Sequence, residues 1–267
     1  MNCFWMSHNK LAFNQIYQMD CLAGMAALDP EVVDLIITDP PFAIDFKAKW
    51  ANYHRRVERV LEGYQEIDRP DYENFAQQWL TAVDRILKES GSMYVFSGWN
   101  QLQLVLNALD QVGFVLVNHL IWKYQFGVVT RRKFVTSHYR CLYVCKNAKL
   151  RRFYPFARYN KDARDDKGHS LHCQDKEDVW VVQREYWQGD YKTPTKLPAE
   201  TIRKILAYSS VAGDLVCDPF LGSGQVAIVS KKMDRRYIGF ELNREYYEFA
   251  QARLSSGEYR LKINRSN

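Results

Sequence analysis

Two apolar runs in this chain stop at the same kind of turn, and that pairing constrains the fold more than any other feature. Val32-Val33-Asp34-Leu35-Ile36-Ile37 leads into Thr38-Asp39-Pro40-Pro41-Phe42, and Leu215-Val216-Cys217 leads into Asp218-Pro219-Phe220-Leu221-Gly222-Ser223-Gly224. A short apolar run bounded by turn residues reads as a buried strand. Each strand then delivers an acid to its carboxyl end. In the first turn two prolines hold φ at about −65° and remove two backbone donors, leaving a stiff loop that offers acceptors. The Asp39 carboxylate, the Pro40 carbonyl and the Phe42 ring suit an exocyclic amine held by its hydrogens beside a stacked base. An ordinary strand-ending turn is the competing account, because Asp-Pro is common there.

The second turn narrows the choice. Gly222-x-Gly224-x-x-Ala227, with Glu241 further on, fits a loose dinucleotide pattern. Its context argues against a nicotinamide cofactor, since an acid and a proline precede the first glycine. The glycines let backbone approach a ligand closely. Asp218 suits an ammonium group and would repel a pyrophosphate.

Taken together, these motifs resemble the amino-group DNA methyltransferases of the permuted β class, which use S-adenosyl-L-methionine. There the Asp-Pro-Pro-aromatic motif comes first and the cofactor motif last, and the likeness runs from about Asn14 to Leu254. The family's Asp-Pro-Phe-x-Gly-Ser-Gly is intact at 218–224. The resemblance implies catalysis by Asp39, Pro40, Pro41 and Phe42. It implies cofactor contacts from Asp218, Pro219, Phe220, Gly222, Ser223 and Gly224, from Glu241 on the ribose with Asn243 beside it, from Asp20 and Cys21 near the adenine, and from Thr38 and Asp39. Lys192-Thr193-Pro194-Thr195-Lys196-Leu197-Pro198 is similar to the segment over the methionine end, giving Thr193 and Lys196. That segment departs from His-Pro-x-x-Lys-Pro, with Thr193 for the histidine and Leu197 inserted, and Phe42 replaces the commoner tyrosine.

The expected architecture is α/β: one doubly wound, Rossmann-like sheet in circularly permuted motif order with a small recognition insert. Residues 1–146 form its catalytic half, 147–189 the target-recognition insert and 190–267 the cofactor-binding half. Asp71 is expected to cap a helix that Gly91 ends, followed by a strand from Ser92 to Ser97. Asn100 is expected to cap a second helix to Val112. Strands at 114–124 and 138–146, a helix at 201–209 and a final helix capped by Asn243 complete the pattern. If the strands ending at Asp39 and Asp218 are neighbours, their turns share one crevice at a switch point.

At 267 residues the chain can bury the core of one large domain. No apolar run approaches the ~18–20 residues of a membrane span, and the N-terminus lacks signal-peptide character. The six cysteines lack zinc spacing, and Cys141 and Cys145 alternate within a strand as core thiols. His169, His172 and Cys173 form a cluster without an evident fourth ligand, so no metal is expected. A cytoplasmic enzyme is the reading.

Net charge is +6, from 37 basic and 31 acidic residues, so placement matters more than the total. Lys47, Lys49, Arg55 and Arg56 follow the first turn among aromatics. Arg131, Arg132 and Lys133, then Arg151 and Arg152, lie beyond the central strands, with Phe153, Tyr154 and Phe156 interleaved. Basic groups with aromatics suit phosphates and unstacked bases. DNA is therefore the expected partner, and the resemblance adds a cognate restriction endonuclease and a monomer or homodimer. Direct methylation of adenine N6 by base flipping leads; Asp at the first catalytic position goes with adenine in this family, and Ser with cytosine. Cytosine N4 methylation is the alternative, followed by an RNA or protein-amide methyltransferase and a non-enzymatic DNA-binding protein.

Overall fold

Period-two alternation along the strands decides the layering. The computed structural model describes residues 11–41, 67, 69–124, 131–185 and 196–256; Phe42, Lys47, Lys49, Arg55, Arg56 and Thr193 lie outside them. Eight strands form one sheet: β1 (Gln15–Gln18), β2 (Val33–Thr38), β3 (Leu87–Ser97), β4 (Val115–Lys123), β5 (His138–Cys145), β6 (Val179–Val181), β7 (Leu215–Asp218) and β8 (Arg236–Glu241). Their spatial order is β1-β8-β7-β2-β3-β5-β4-β6. The first five in that order are parallel, β5 is antiparallel to both neighbours, and β6 is parallel to β4.

Helices cover both faces. Met93 and Val95 of β3 pack with Trp79, Leu80, Val83 and Ile86 of α2 (Tyr72–Ile86) and with Val105 and Leu109 of α3 (Leu102–Val112). Tyr94 and Phe96 point the other way, onto Ile202, Ile205 and Leu206 of α5 (Ala199–Ser209) and Val226 and Val229 of α6 (Gln225–Lys232). A parallel strand flanked by two helical layers is apolar on both sides, which is why β2 is buried along its whole length. Two short helices, α1 (Cys21–Ala26) and α4 (Leu171–Asp175), and the long α7 (Arg244–Ser256) complete the set.

Three local expectations need correction. Gly91 does not end α2; the helix stops at Ile86, and β3 begins at Leu87 and runs through Gly91. Leu87 pairs with Val33, and a register shift between Val33 and Leu35 accommodates the extra length, so strand pairing overrides the glycine signal. Asp71 sits at the N-cap of α2 without a side-chain cap bond, and Gln101 rather than Asn100 precedes α3. Within the expected insert, Val179–Val181 forms an edge strand paired to β4.

Candidate active site

β2 and β7 are hydrogen-bonded neighbours, with Leu35 beside Val216 and Ile36 beside Cys217. Because they are parallel, both acids arrive at the same edge. Thr38 Oγ1 donates to Asp218 Oδ1 at 3.0 Å, and the Phe220 N–H donates to the same oxygen at 3.2 Å. Asp218 is buried, and burial, with the Glu241 charge adding to it, pushes its carboxyl up to about 7 against those two bonds. Asp39 keeps some exposed surface, yet its Oδ1 is buried without a hydrogen-bond partner among the described residues. Burial first, and the Asp218 charge second, push Asp39 up to about 8. An unsatisfied buried acceptor is costly. Among the described residues Asp39 Oδ1 meets no donor, and a ligand that brings one complements it.

The glycine loop connects β7 to α6. Gly222 and Gly224 have φ of 51° and 74°, the left-handed region. Their roles differ. A Cβ on Gly224 would stand 2.9 Å from the Ala250 Cβ of α7, so this glycine permits helix packing. A Cβ on Gly222 would meet nothing nearer than the Phe220 carbonyl at 4.0 Å, so the space above it is open. The Gly222 N–H donates to Glu241 Oε2 at 2.8 Å and the Asn243 N–H to Oε1 at 2.9 Å. Those bonds hold the Glu241 carboxylate, whose pKa burial raises, at the end of β8. The Asn243 side chain accepts from the Tyr246 N–H at 3.1 Å and caps α7, as expected from the sequence. Asp20 follows β1, the neighbour of β8, and accepts from the Leu22 and Ala23 N–H groups as the cap of α1. Cys21 is buried beneath it. Phe220 leans on Phe75 and edge-on to Trp79, which ties the loop to α2.

Lys196 reaches this region through a residue that sequence reasoning missed. Glu185 accepts from Lys196 Nζ at 2.7 Å, from the Ala199 N–H at the start of α5 at 2.7 Å, and from Gln225 Nε2 at 3.2 Å. Arg253 donates to the Ser223 carbonyl and to Gln225 Oε1. Burial pulls Lys196 down and Arg253 down to about 10, although Glu185 opposes both shifts. Gln225 directly follows the second glycine and was open to prediction. Glu185 sits in a polar stretch without periodicity and carried no signal.

The basic residues divide. Arg131, Arg132 and Lys133 are exposed and lead into β5 at the edge that bears Asp39, since Ser97 at the end of β3 pairs with Arg140. Arg151 and Arg152, expected as DNA contacts, make contacts within the protein. The Arg151 Nη1 donates to the Tyr143 hydroxyl at 2.5 Å, and its guanidinium lies over the Tyr143 and Phe153 rings. Arg152 bridges Asp34 at 2.8 Å and Asp214 at 3.1 Å, at the amino ends of β2 and β7. Those buried acids require a cation, and Arg152 serves them at the far end of the strands from Asp39. His169 pairs with Asp165 and His172 stacks on Phe156. No group of three or more His, Cys, Asp or Glu among the described residues is placed to hold a metal.

The profile of the N6/N4 DNA methylase family matches residues 33–252. The chain belongs to that family. The type II methyltransferase M2.DpnII of Streptococcus pneumoniae is 28% identical to this methylase over 245 residues, covering 89% of this chain and 88% of the relative. Among solved structures, the PvuII DNA methyltransferase (cytosine-N4-specific) superposes with a TM-score of 0.69 at 17% identity, over 96% of this chain and 89% of that one. M1.HpyAVI in complex with SAM superposes with a TM-score of 0.61 at 21% identity, over 90% and 99%. The doubly wound fold of this chain is shared with both solved structures. No described helix of the methylase is long and apolar enough to cross a membrane.

Proposed function

We propose that this DNA methylase moves the methyl group of S-adenosyl-L-methionine to the exocyclic N6 of adenine in DNA. One observation carries the reading: parallel pairing of β2 with β7 sets Asp39 beside Asp218 at one edge, with Thr38 donating to Asp218. The residues there fit the cofactor. Asp218 is a buried acid without a cation partner among the described residues, the space above Gly222 is open, and Glu241 stands at the next strand end. In this reading Asp218 faces the cofactor's cationic end and Glu241 the ribose. Asp20 lies toward the adenine, and Lys196 and Thr193 cover the methionine end. S-adenosyl-L-methionine, when bound, supplies an electrophilic methyl group on a sulfonium.

The protein's own task is to present an amine. Asp39 and the Pro40 carbonyl accept its two hydrogens, which draws the nitrogen lone pair away from the ring and aims it. Holding the amine in that geometry supplies most of the acceleration, by positioning and electrostatics. A duplex blocks the approach, so the target base rotates out and stacks on Phe42. Arg131, Arg132 and Lys133 take phosphates at the same edge. A DNA substrate is consistent with an enzyme of the cytoplasm, and a cognate restriction endonuclease fits because the pneumococcal relative is named a type II methyltransferase.

Nucleoside mass spectrometry of DNA treated with the purified protein tests the reading. N6-methyladenine is expected. N4-methylcytosine would keep the geometry and overturn the base assignment, and absence of any methylated base would overturn both.

A further inference from the structure

Phe134 is 99% exposed, an unusual position for a phenyl ring in a folded chain. It directly follows the exposed Arg131, Arg132 and Lys133. The stretch 131–137 enters β5 at the catalytic edge: the Tyr124 N–H donates to the Ser137 carbonyl at 3.0 Å, Arg140 pairs with Ser97, and Val95 pairs with Thr38. Only β3 separates β2 from β5, so this edge of β5 lies two strand spacings from Asp39, roughly 10 Å. An apolar ring beside three cations, on the segment that enters β5 at the edge bearing Asp39, has a specific use on a duplex. The cations hold phosphates while the ring faces the base stack.

We propose that Phe134 is a positioning wedge, entering the stack where the target base has left and slowing its return. The inference rests on the base-flipping reading above and extends it to a second residue on the DNA side. Apolar side chains are known to insert between base steps and hold them unstacked. Trp99, just past β3, is the rival for this place; it is 64% exposed and has no adjacent cations in sequence.

The test compares Phe134→Ala, Phe134→Leu and the unaltered protein on two duplexes, after sequencing of methylated DNA has fixed the recognition site. One duplex is fully paired; in the other the target base faces an abasic site and is already released. Phe134→Ala should lose roughly five- to a hundredfold in kcat/KM on the paired duplex, the range that stacking on one ring supports. On the released duplex the loss should shrink below about threefold, because the hole needs no wedge. Phe134→Leu should retain most activity, and Tm and cofactor affinity should match the unaltered protein. With 2-aminopurine at the target position, fluorescence on binding should rise less for Phe134→Ala. Equal losses on both duplexes, or none on the paired one, would overturn the wedge while leaving methylation intact. If the unaltered protein methylates neither duplex, the base-flipping reading fails and the wedge with it.

Discussion

Replacing Asp39 with Asn should make the cofactor-free protein more stable at alkaline pH while destroying its activity. The ordinary aspartate value is 3.8, and burial with the Asp218 charge holds Asp39 up to about 8. A carboxyl with a raised folded-state pKa binds its proton more tightly in the native protein than in the unfolded chain. Its stabilising contribution is complete below the unfolded value and is lost as pH rises toward the folded one. The gap corresponds to a ceiling of roughly 6 kcal/mol, at about 1.36 kcal/mol per pH unit. Asp39 keeps some exposed surface, and buried charges relax their surroundings, so a gain of about 2–4 kcal/mol is expected. At about 2–4 °C per kcal/mol for a domain of this size, Asp39→Asn should melt roughly 5–15 °C higher at pH 9. The difference should open between about pH 4 and 8, then level off. Turnover should fall by roughly 10²–10³-fold or more, the usual loss for one preorganised electrostatic partner. Thermal melts from pH 5 to 9 and labelled-methyl incorporation measure the two effects. Parallel melting curves across that range would refute the buried, unpartnered carboxyl on which the catalytic assignment depends.

Asp218→Ala and Glu241→Ala should each weaken S-adenosyl-L-methionine binding by roughly ten- to a hundredfold in calorimetry, the scale of one hydrogen bond to a charged group; unchanged affinity in both would remove the cofactor assignment. Affinity for the cofactor should rise from pH 6 to 8, with protons released on binding, because a cationic ligand favours the ionised forms of Asp218 and Asp39. A flat profile would mean that neither acid faces the cation. Arg152→Ala should cost about 2–3 kcal/mol of stability, since Asp34 and Asp214 lose a partner they share, and the salt dependence of DNA binding should not change. Arg131→Ala and Arg132→Ala should instead flatten that dependence by about 0.9 per lost phosphate contact in log–log slope, and a slope that responds to Arg152 alone would reverse this assignment.

What could be read from the sequence depended on how local the physics was. The strand ends at Asp39 and Asp218 need only an apolar run and a proline, so both turns were legible, and parallel pairing brought them together as the switch-point rule requires. The end of α2 was not legible, because Gly91 carries a local stop signal while the pairing of Leu87 with Val33 is set by a strand about fifty positions away. Arg152 was ambiguous in the sequence for a related reason. In composition, a phosphate-binding arginine and one that clamps buried acids look the same, and Asp34 reads only as a polar break in an apolar run. Its need for a cation emerges once Asp214 comes alongside.

Asp34 within β2 and Asp39 just past its end make the distinction. At the amino end, Asp34 accepts from Lys88 at 2.6 Å, from Arg152 at 2.8 Å and from the Leu215 N–H at 2.9 Å. Five positions on, the buried Oδ1 of Asp39 has no partner among the described residues. Among the described residues, cations and donors meet Asp34 and none meets Asp39 Oδ1, although Asp39 directly follows the strand that carries Asp34. Retaining an unpaired buried carboxylate lowers stability unless something outside the chain completes it. Under the proposed function, a cationic cofactor and a hydrogen-donating amine complete it. The energetic defect at Asp39 and the function proposed for it are thus one feature, which is why Asp39→Asn should repair the first and remove the second.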